Sequence, residues 1–196
     1  MRNNILFIGN SYTLYNDMPE AIFAPMAERA GYPCDVTSVT HGGYHLYQFA
    51  DPENEDGKRL RATIAGNHYD AVVLQDHSIG PIFKREEFEK AVGDLMTLLD
   101  GQADQFVLYA TWGRHPDSPD LARFGLKSSE MTAKLSDAYN QVGARYGIKV
   151  AEVGKAFADR RAAHPEDELY NPDLTHPSAL GSTVAAETIL REIMRP

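Results

Sequence analysis

The chain has 196 residues, enough for one domain with a sizeable core. Its 19 Lys and Arg against 28 Asp and Glu leave a net charge of −9, which excludes the basic face that general nucleic-acid or anionic-membrane binding needs. A single cysteine, Cys34, excludes an intrachain disulfide and any multi-cysteine metal site, and a reducing compartment is the simplest reading.

Met1-Arg2-Asn3-Asn4 leads straight into the apolar run Ile5–Ile8, which Gly9-Asn10-Ser11 stops. That run is too short for a signal peptide, so the expected location is cytoplasmic. No window approaches the roughly 18 apolar residues of a membrane span. A helix follows, capped by Asp17, tolerating Pro19 early and ending at Gly31. The next run, Cys34–Val39, mixes polar with apolar residues and reads as a strand nearer an edge. The acidic stretch Asp51–Asp56 reads as a solvated face. Ala71–Leu74 is a third, wholly apolar run. Phe88, Val92, Leu95, Met96 and Leu99 then keep helical spacing up to Gly101.

The fourth run is Phe106–Ala110, followed by the polar segment Gly113–Gly125. Met131, Leu135, Ala138, Val142 and Tyr146 set a second long helix before Gly147, and Ile148–Val153 is the fifth run. After a loop over His164–Asp173, a last helix spans Ala179–Met194. Runs that are apolar on both faces suit strands covered by helices on each side. The alternation predicts a single domain over 1–196: a three-layer α/β/α sandwich with a mainly parallel five-stranded sheet of flavodoxin-like topology.

Open sheets of this kind bind ligands beyond the carboxyl ends of their strands. The residues there are Gly9-Asn10-Ser11-Tyr12-Thr13, His41-Gly42-Gly43, Gln75-Asp76-His77-Ser78 and Thr111-Trp112-Gly113-Arg114. The late loop Asn171-Pro172-Asp173-Leu174-Thr175-His176-Pro177 joins them. A serine hydroxyl is a poor nucleophile until a base takes its proton, and that base must be oriented by a third group. Asp173 and His176, three residues apart, can supply that pair for Ser11. Taken singly, each motif is as well explained by a strand-end turn or a helix cap.

Together the two motifs resemble the first and last blocks of the SGNH (GDSL-type) hydrolases: Gly9-Asn10-Ser11 the Gly-Asp-Ser block, and Asp173-Leu174-Thr175-His176-Pro177 the Asp-x-x-His-Pro block. Gly43 stands where their second block has its glycine. The resemblance implies the flavodoxin-like fold, a Ser11–His176–Asp173 triad and no cofactor or metal. It implies acyl transfer from an ester to water, with the oxyanion held by the backbone N–H groups of Ser11 and Gly43. The third block departs from the family's Gly-x-Asn-Asp. Gln75 is the preferred replacement for the asparagine as oxyanion donor, because an amide donates at every pH, with His77 as the alternative.

Tyr12, Tyr44, Trp112 and Arg114 are candidates to line the substrate pocket, Trp112 as a platform for a sugar ring; they are equally candidates for packing. Arg114 can instead pair with Asp117 or Asp120. The expected substrate is a small-molecule or carbohydrate ester with a short acyl group such as acetyl, with no nucleic-acid or membrane partner; the oligomeric state is not readable. His41, His45, His68 and His164 receive no role. Two other readings remain open. One is a metal-dependent hydrolase drawing on Asp70, Asp76, His77, His115, Asp173 and His176, although no metal-ligand spacing supports it. The other is a non-catalytic binding module on the same scaffold.

Overall fold

The computed structural model describes residues 2–196. Five strands form one sheet: β1 (Asn3–Gly9), β2 (Cys34–Thr40), β3 (Ala71–Leu74), β4 (Phe106–Ala110) and β5 (Lys149–Glu152). Their order is β2-β1-β3-β4-β5, and every neighbouring pair is parallel. The predicted runs are these strands to within two residues at each end. The mixed run is an edge strand, as its composition predicted. The four other predicted runs differ in burial for the same reason: β1 and β3 sit in the middle of the sheet and bury nearly every side chain.

The helices are α1 (Ser11–Leu14), α2 (Ala24–Arg29), α3 (Leu46–Ala50), α4 (Glu55–Ile64), α5 (Gly80–Phe83), α6 (Arg85–Leu98), α7 (Asp120–Phe124), α8 (Ser128–Tyr146), α9 (Val153–Ala163) and α10 (Ala179–Met194). Alternation along the strands sorts the core into two layers. Ile5, Phe7, Val73, Val107 and Tyr109 face Phe23, Phe157 of α9, and Ala185, Ile189 and Ile193 of α10. Leu6, Ile8, Val72, Leu74 and Leu108 face Leu60 of α4, Val92 and Leu95 of α6, and Leu135 and Val142 of α8. No helix among the described residues is long and apolar enough to cross a membrane.

Two local expectations fail. The helix predicted from Asp17 is broken: Asn16 and Asp17 take left-handed backbone angles (φ 59° and 48°), Met18–Phe23 form a wide turn, and α2 begins only at Ala24. Asp17 makes no capping bond; Gly31, at φ 78°, does stand at the end. The acidic stretch is not all a solvated face. Asn54 Oδ1 accepts the Asp56 N–H at 2.9 Å and starts α4, and Asp56 is only 7% exposed.

The chain leaves β1 for β2 on one side and returns to β3 on the other. The carboxyl ends of β1 and β3 therefore flank the crevice where strand order reverses, the position at which such sheets bind ligands.

Candidate active site

Ser11 opens α1 directly after β1. Asn10 caps that helix: its Oδ1 accepts the Tyr12 N–H at 3.1 Å. The same side chain donates through Nδ2 to the Tyr44 carbonyl at 2.8 Å, tying the serine turn to the loop after β2. Gly9 permits the turn to close, since a Cβ there would lie 2.6 Å from Thr13 Oγ1 and 2.7 Å from Gln75 Oε1.

Opposite ends of the chain meet at this point. His176 Nε2 lies 2.9 Å from Ser11 Oγ, and His176 Nδ1 lies 2.6 Å from Asp173 Oδ2. Asp173 Oδ1 accepts the N–H groups of Thr175 and His176, each at 2.9 Å. Burial pushes the Asp173 carboxyl up, but these bonds from His176 and Thr175 outweigh it and hold the group below its ordinary range. Leu174 takes φ 61° so that the loop can double back between the two residues.

Two residues that sequence reasoning missed complete the ring's setting. Tyr15 stacks on His176 at 4.2 Å between centroids, nearly parallel, while Tyr12 meets it edge-on at 5.5 Å. Asn16 Nδ2 donates to the Pro177 carbonyl at 3.1 Å and to Ser182 Oγ at 2.8 Å, which ties the serine segment to the histidine loop. The only sequence signal for either was proximity to Ser11.

A cavity of about 500 Å³ opens over Ser11, lined by Tyr12, Tyr15, Gly42, Gly43, His77, Ser78, Arg114, Thr175 and His176 among others. Two larger cavities, about 690 and 670 Å³, lie along the β5 edge and between α7, α8 and α9, away from Ser11. Gly43 takes φ 76° in the turn beside Ser11. The backbone N–H groups of Ser11 and Gly43 are not tied up by any other group among the described residues. Both are free to donate to a ligand.

Gln75 does not reach this cavity. Its side chain is fully buried, Oε1 accepts the Asn10 N–H and the Thr13 hydroxyl at 2.9 Å each, and Nε2 donates to the Asp76 carbonyl. The amide expected to serve as oxyanion donor is spent on bracing the serine turn. His77 faces the cavity instead. Its Nδ1 accepts the Ile79 N–H at 3.4 Å, which leaves Nε2 as the donor of the neutral ring. Burial and the neighbouring His45, whose ring stacks on it at 4.6 Å, lower its pKa, which favours the neutral ring.

Trp112 is not a sugar platform. It is fully buried, sandwiched between Tyr12 at 4.6 Å and Phe157 at 4.1 Å, and its Nε1 donates to the Thr175 carbonyl at 3.1 Å. Trp112→Ala is therefore expected to lower unfolding free energy by about 3–5 kcal/mol, read from urea denaturation. An unchanged midpoint would contradict this packing role. Tyr44 also stays out of the cavity: its ring stacks on His41 at 3.8 Å. Arg114 does line the cavity, but its Nη1 is held by Asp120 Oδ2 at 2.5 Å and Thr175 Oγ1 at 2.8 Å. No three carboxylate, imidazole or thiol side chains among the described residues converge as metal ligands would.

No protein-family model matches the chain, and neither does any curated protein. Solved structures do. A protein from Slackia heliotrinireducens assigned to the SGNH hydrolases shares 29% identity at a TM-score of 0.85, covering 98% of this chain and 100% of that one. A DUF4886 family protein from Bacteroides uniformis shares 16% identity at 0.78, covering 99% and 83%. An acetylxylan esterase from Geobacillus stearothermophilus shares 15% identity at 0.66, covering 99% and 95%. Its variants with alanine for a serine, an aspartate or a histidine are each described as catalytic mutants, the aspartate lying three residues before the histidine.

Proposed function

We propose that this chain, a member of the SGNH hydrolase superfamily, is a serine esterase that removes a short acyl group, acetyl-sized, from a carbohydrate or other small molecule. The observation that carries the proposal is the continuous row from Asp173 through His176 to Ser11, with contacts of 2.6 and 2.9 Å. The acetylxylan esterase among the structural neighbours and the modest size of the cavity support the substrate class.

In this reading His176 carries its proton on Nδ1, donated to Asp173, so Nε2 is free to accept. Ser11 Oγ attacks the ester carbonyl and passes its proton to Nε2. The tetrahedral oxyanion takes hydrogen bonds from the backbone N–H groups of Ser11 and Gly43. Collapse expels the alcohol, which receives the proton from Nε2, and leaves the acyl group on Ser11. Water repeats the cycle, giving its proton to His176 and releasing the acid and the free serine.

His77 is the third oxyanion donor in this proposal. It takes the place of the family's asparagine, because Gln75 is committed elsewhere. A neutral imidazole with its proton on Nε2 can donate that proton to the oxyanion. His77→Ala is expected to lower kcat on the order of 10²-fold with KM little changed, the cost of losing one such donor. His77→Asn is expected to recover part of that loss. Gln75→Ala, by contrast, acts mainly on stability. A His77→Ala enzyme with wild-type kcat on a chromogenic acetate would remove His77 from the mechanism.

The deciding assay for the whole reading is release of acetate from acetylated xylo-oligosaccharides and from longer acyl esters. Short acyl groups should be preferred. A preference for long chains would overturn the substrate class while leaving the chemistry intact.

A further inference from the structure

The turn His41–Tyr44 carries Gly43, and it is anchored more firmly than an exposed loop requires. The His41 N–H donates to the Gly9 carbonyl at 3.1 Å, which extends the β1–β2 pairing by one step. The Tyr44 N–H closes the turn onto the His41 carbonyl at 3.3 Å, and the rings of His41 and Tyr44 stack across it at 3.8 Å. Asn10 holds the far end through the Tyr44 carbonyl. The third anchor comes from α4. His41 Nδ1 sits 2.6 Å from Asp56 Oδ2, while the other oxygen of Asp56 takes Arg59 Nη2 at 2.9 Å. Arg59 Nη2 in turn donates to the carbonyl of Thr40, the residue before His41, at 2.8 Å.

Asp56 is nine-tenths buried and both of its oxygens are spent on the base of this turn. A buried carboxylate costs free energy unless paired, so this pair is held in one geometry. We propose that Asp56, acting through His41, is a positioning residue that fixes the plane of the Gly43 peptide so that its N–H points at the developing oxyanion. This rests on the esterase reading above. Neither residue touches substrate. The pair works on the reaction because a misplaced hydrogen-bond donor is lost to the transition state before it is lost to ground-state binding.

The test is a double-mutant cycle on His41→Ala and Asp56→Ala, read by kcat and KM on a chromogenic acetate, with melting temperature and circular dichroism alongside. Each single variant is expected to lose about 10–50-fold in kcat with KM changed less than about three-fold, a fraction of what full loss of an oxyanion donor costs. The double variant should lose no more than either single, because the two residues act as one unit. In Asp56→Asn the side-chain oxygen can take Arg59 Nη2 while the NH₂ donates to Nδ1 of the other His41 tautomer, so the anchor survives and most of the rate should return.

The Gly43 amide resonance, assigned in a ¹⁵N spectrum, gives a readout independent of turnover. It is expected to move or broaden in His41→Ala and Asp56→Ala while Gly9 stays put. Wild-type kcat in both single variants, additive losses, or an undisturbed Gly43 resonance would overturn the proposal. A wild-type protein with no esterase activity would instead overturn the esterase reading, and the Gly43 resonance would still decide whether the pair orients that peptide.

Discussion

Ser11→Ala is expected to abolish hydrolysis of a chromogenic acetate, lowering kcat on the order of 10⁵–10⁶-fold, as loss of a triad serine does elsewhere. The size follows from what Ser11 Oγ touches. Among the described residues its one hydrogen-bond partner is His176 Nε2, so the hydroxyl contributes to the row and to little else. The helix start does not depend on it, because Asn10 provides the cap. Unfolding free energy should therefore stay within about 0.5 kcal/mol of wild type. A serine-directed phosphonate should label the wild-type chain once, at residue 11, and leave the variant unlabelled. Equal rates in the two proteins would end the serine-esterase reading and reopen the binding-module alternative. Loss of wild-type activity with a chelator would point to the metal-dependent one.

The parts of this molecule that were legible in its sequence are those where one residue's environment is set by many neighbours alike. Ile5–Ile8 and Ala71–Leu74 read as strands because both faces are covered, and almost any apolar residue would satisfy them. The α10 boundaries were legible because Ser178 caps one end and apolar spacing runs unbroken to Met194. Less regular helices were not. α9 buries only Val153, Gly154 and Phe157 and shows no helical stripe, while the buried face of α4 is Asp56, Gly57, Leu60 and Ile64, with only two large apolar side chains to mark it.

The site divides along the same line. Asp173 and His176 are local partners, and their spacing alone suggests a contact. Where a long polar side chain points is decided by atoms far away in sequence. The Gln75 amide could equally have faced solvent or the protein; the Asn10 N–H and the Thr13 hydroxyl drew it inward. Trp112 follows a strand end, the expected place for an exposed ring, but Phe157 and Tyr12 arrive on either side and bury it. Asp56 reads as one more surface acid until the fold brings His41 and Arg59 to it.

Asp173→Asn is expected to cost on the order of 10²–10⁴ in kcat, the upper figure being that of a buried triad aspartate. The reason is tautomeric. The backbone N–H groups of Thr175 and His176 both point at Oδ1, so an asparagine would place its own carbonyl oxygen there and turn its NH₂ toward His176 Nδ1. Two donors would then face each other unless the imidazole moved its proton to Nε2, and a protonated Nε2 cannot accept from Ser11. The Asp173 side chain is 44% exposed, so water can relieve part of this conflict, which is why the loss can fall short of the buried case. The sign of the pH dependence follows from the depressed carboxyl of Asp173. A group lowered by folding stabilises the native state above its ordinary pKa of about 3.9 and loses that contribution as pH falls through its lower folded value. Asp173 is thus ionised across the whole neutral range and is not the group that titrates there. The check is kcat for wild type and Asp173→Asn from pH 5 to 9, together with the imidazole proton spectrum. A downfield Nδ1 proton should be present in the wild type and missing in the variant, and a variant that keeps both this resonance and the wild-type kcat would refute the role assigned to Asp173.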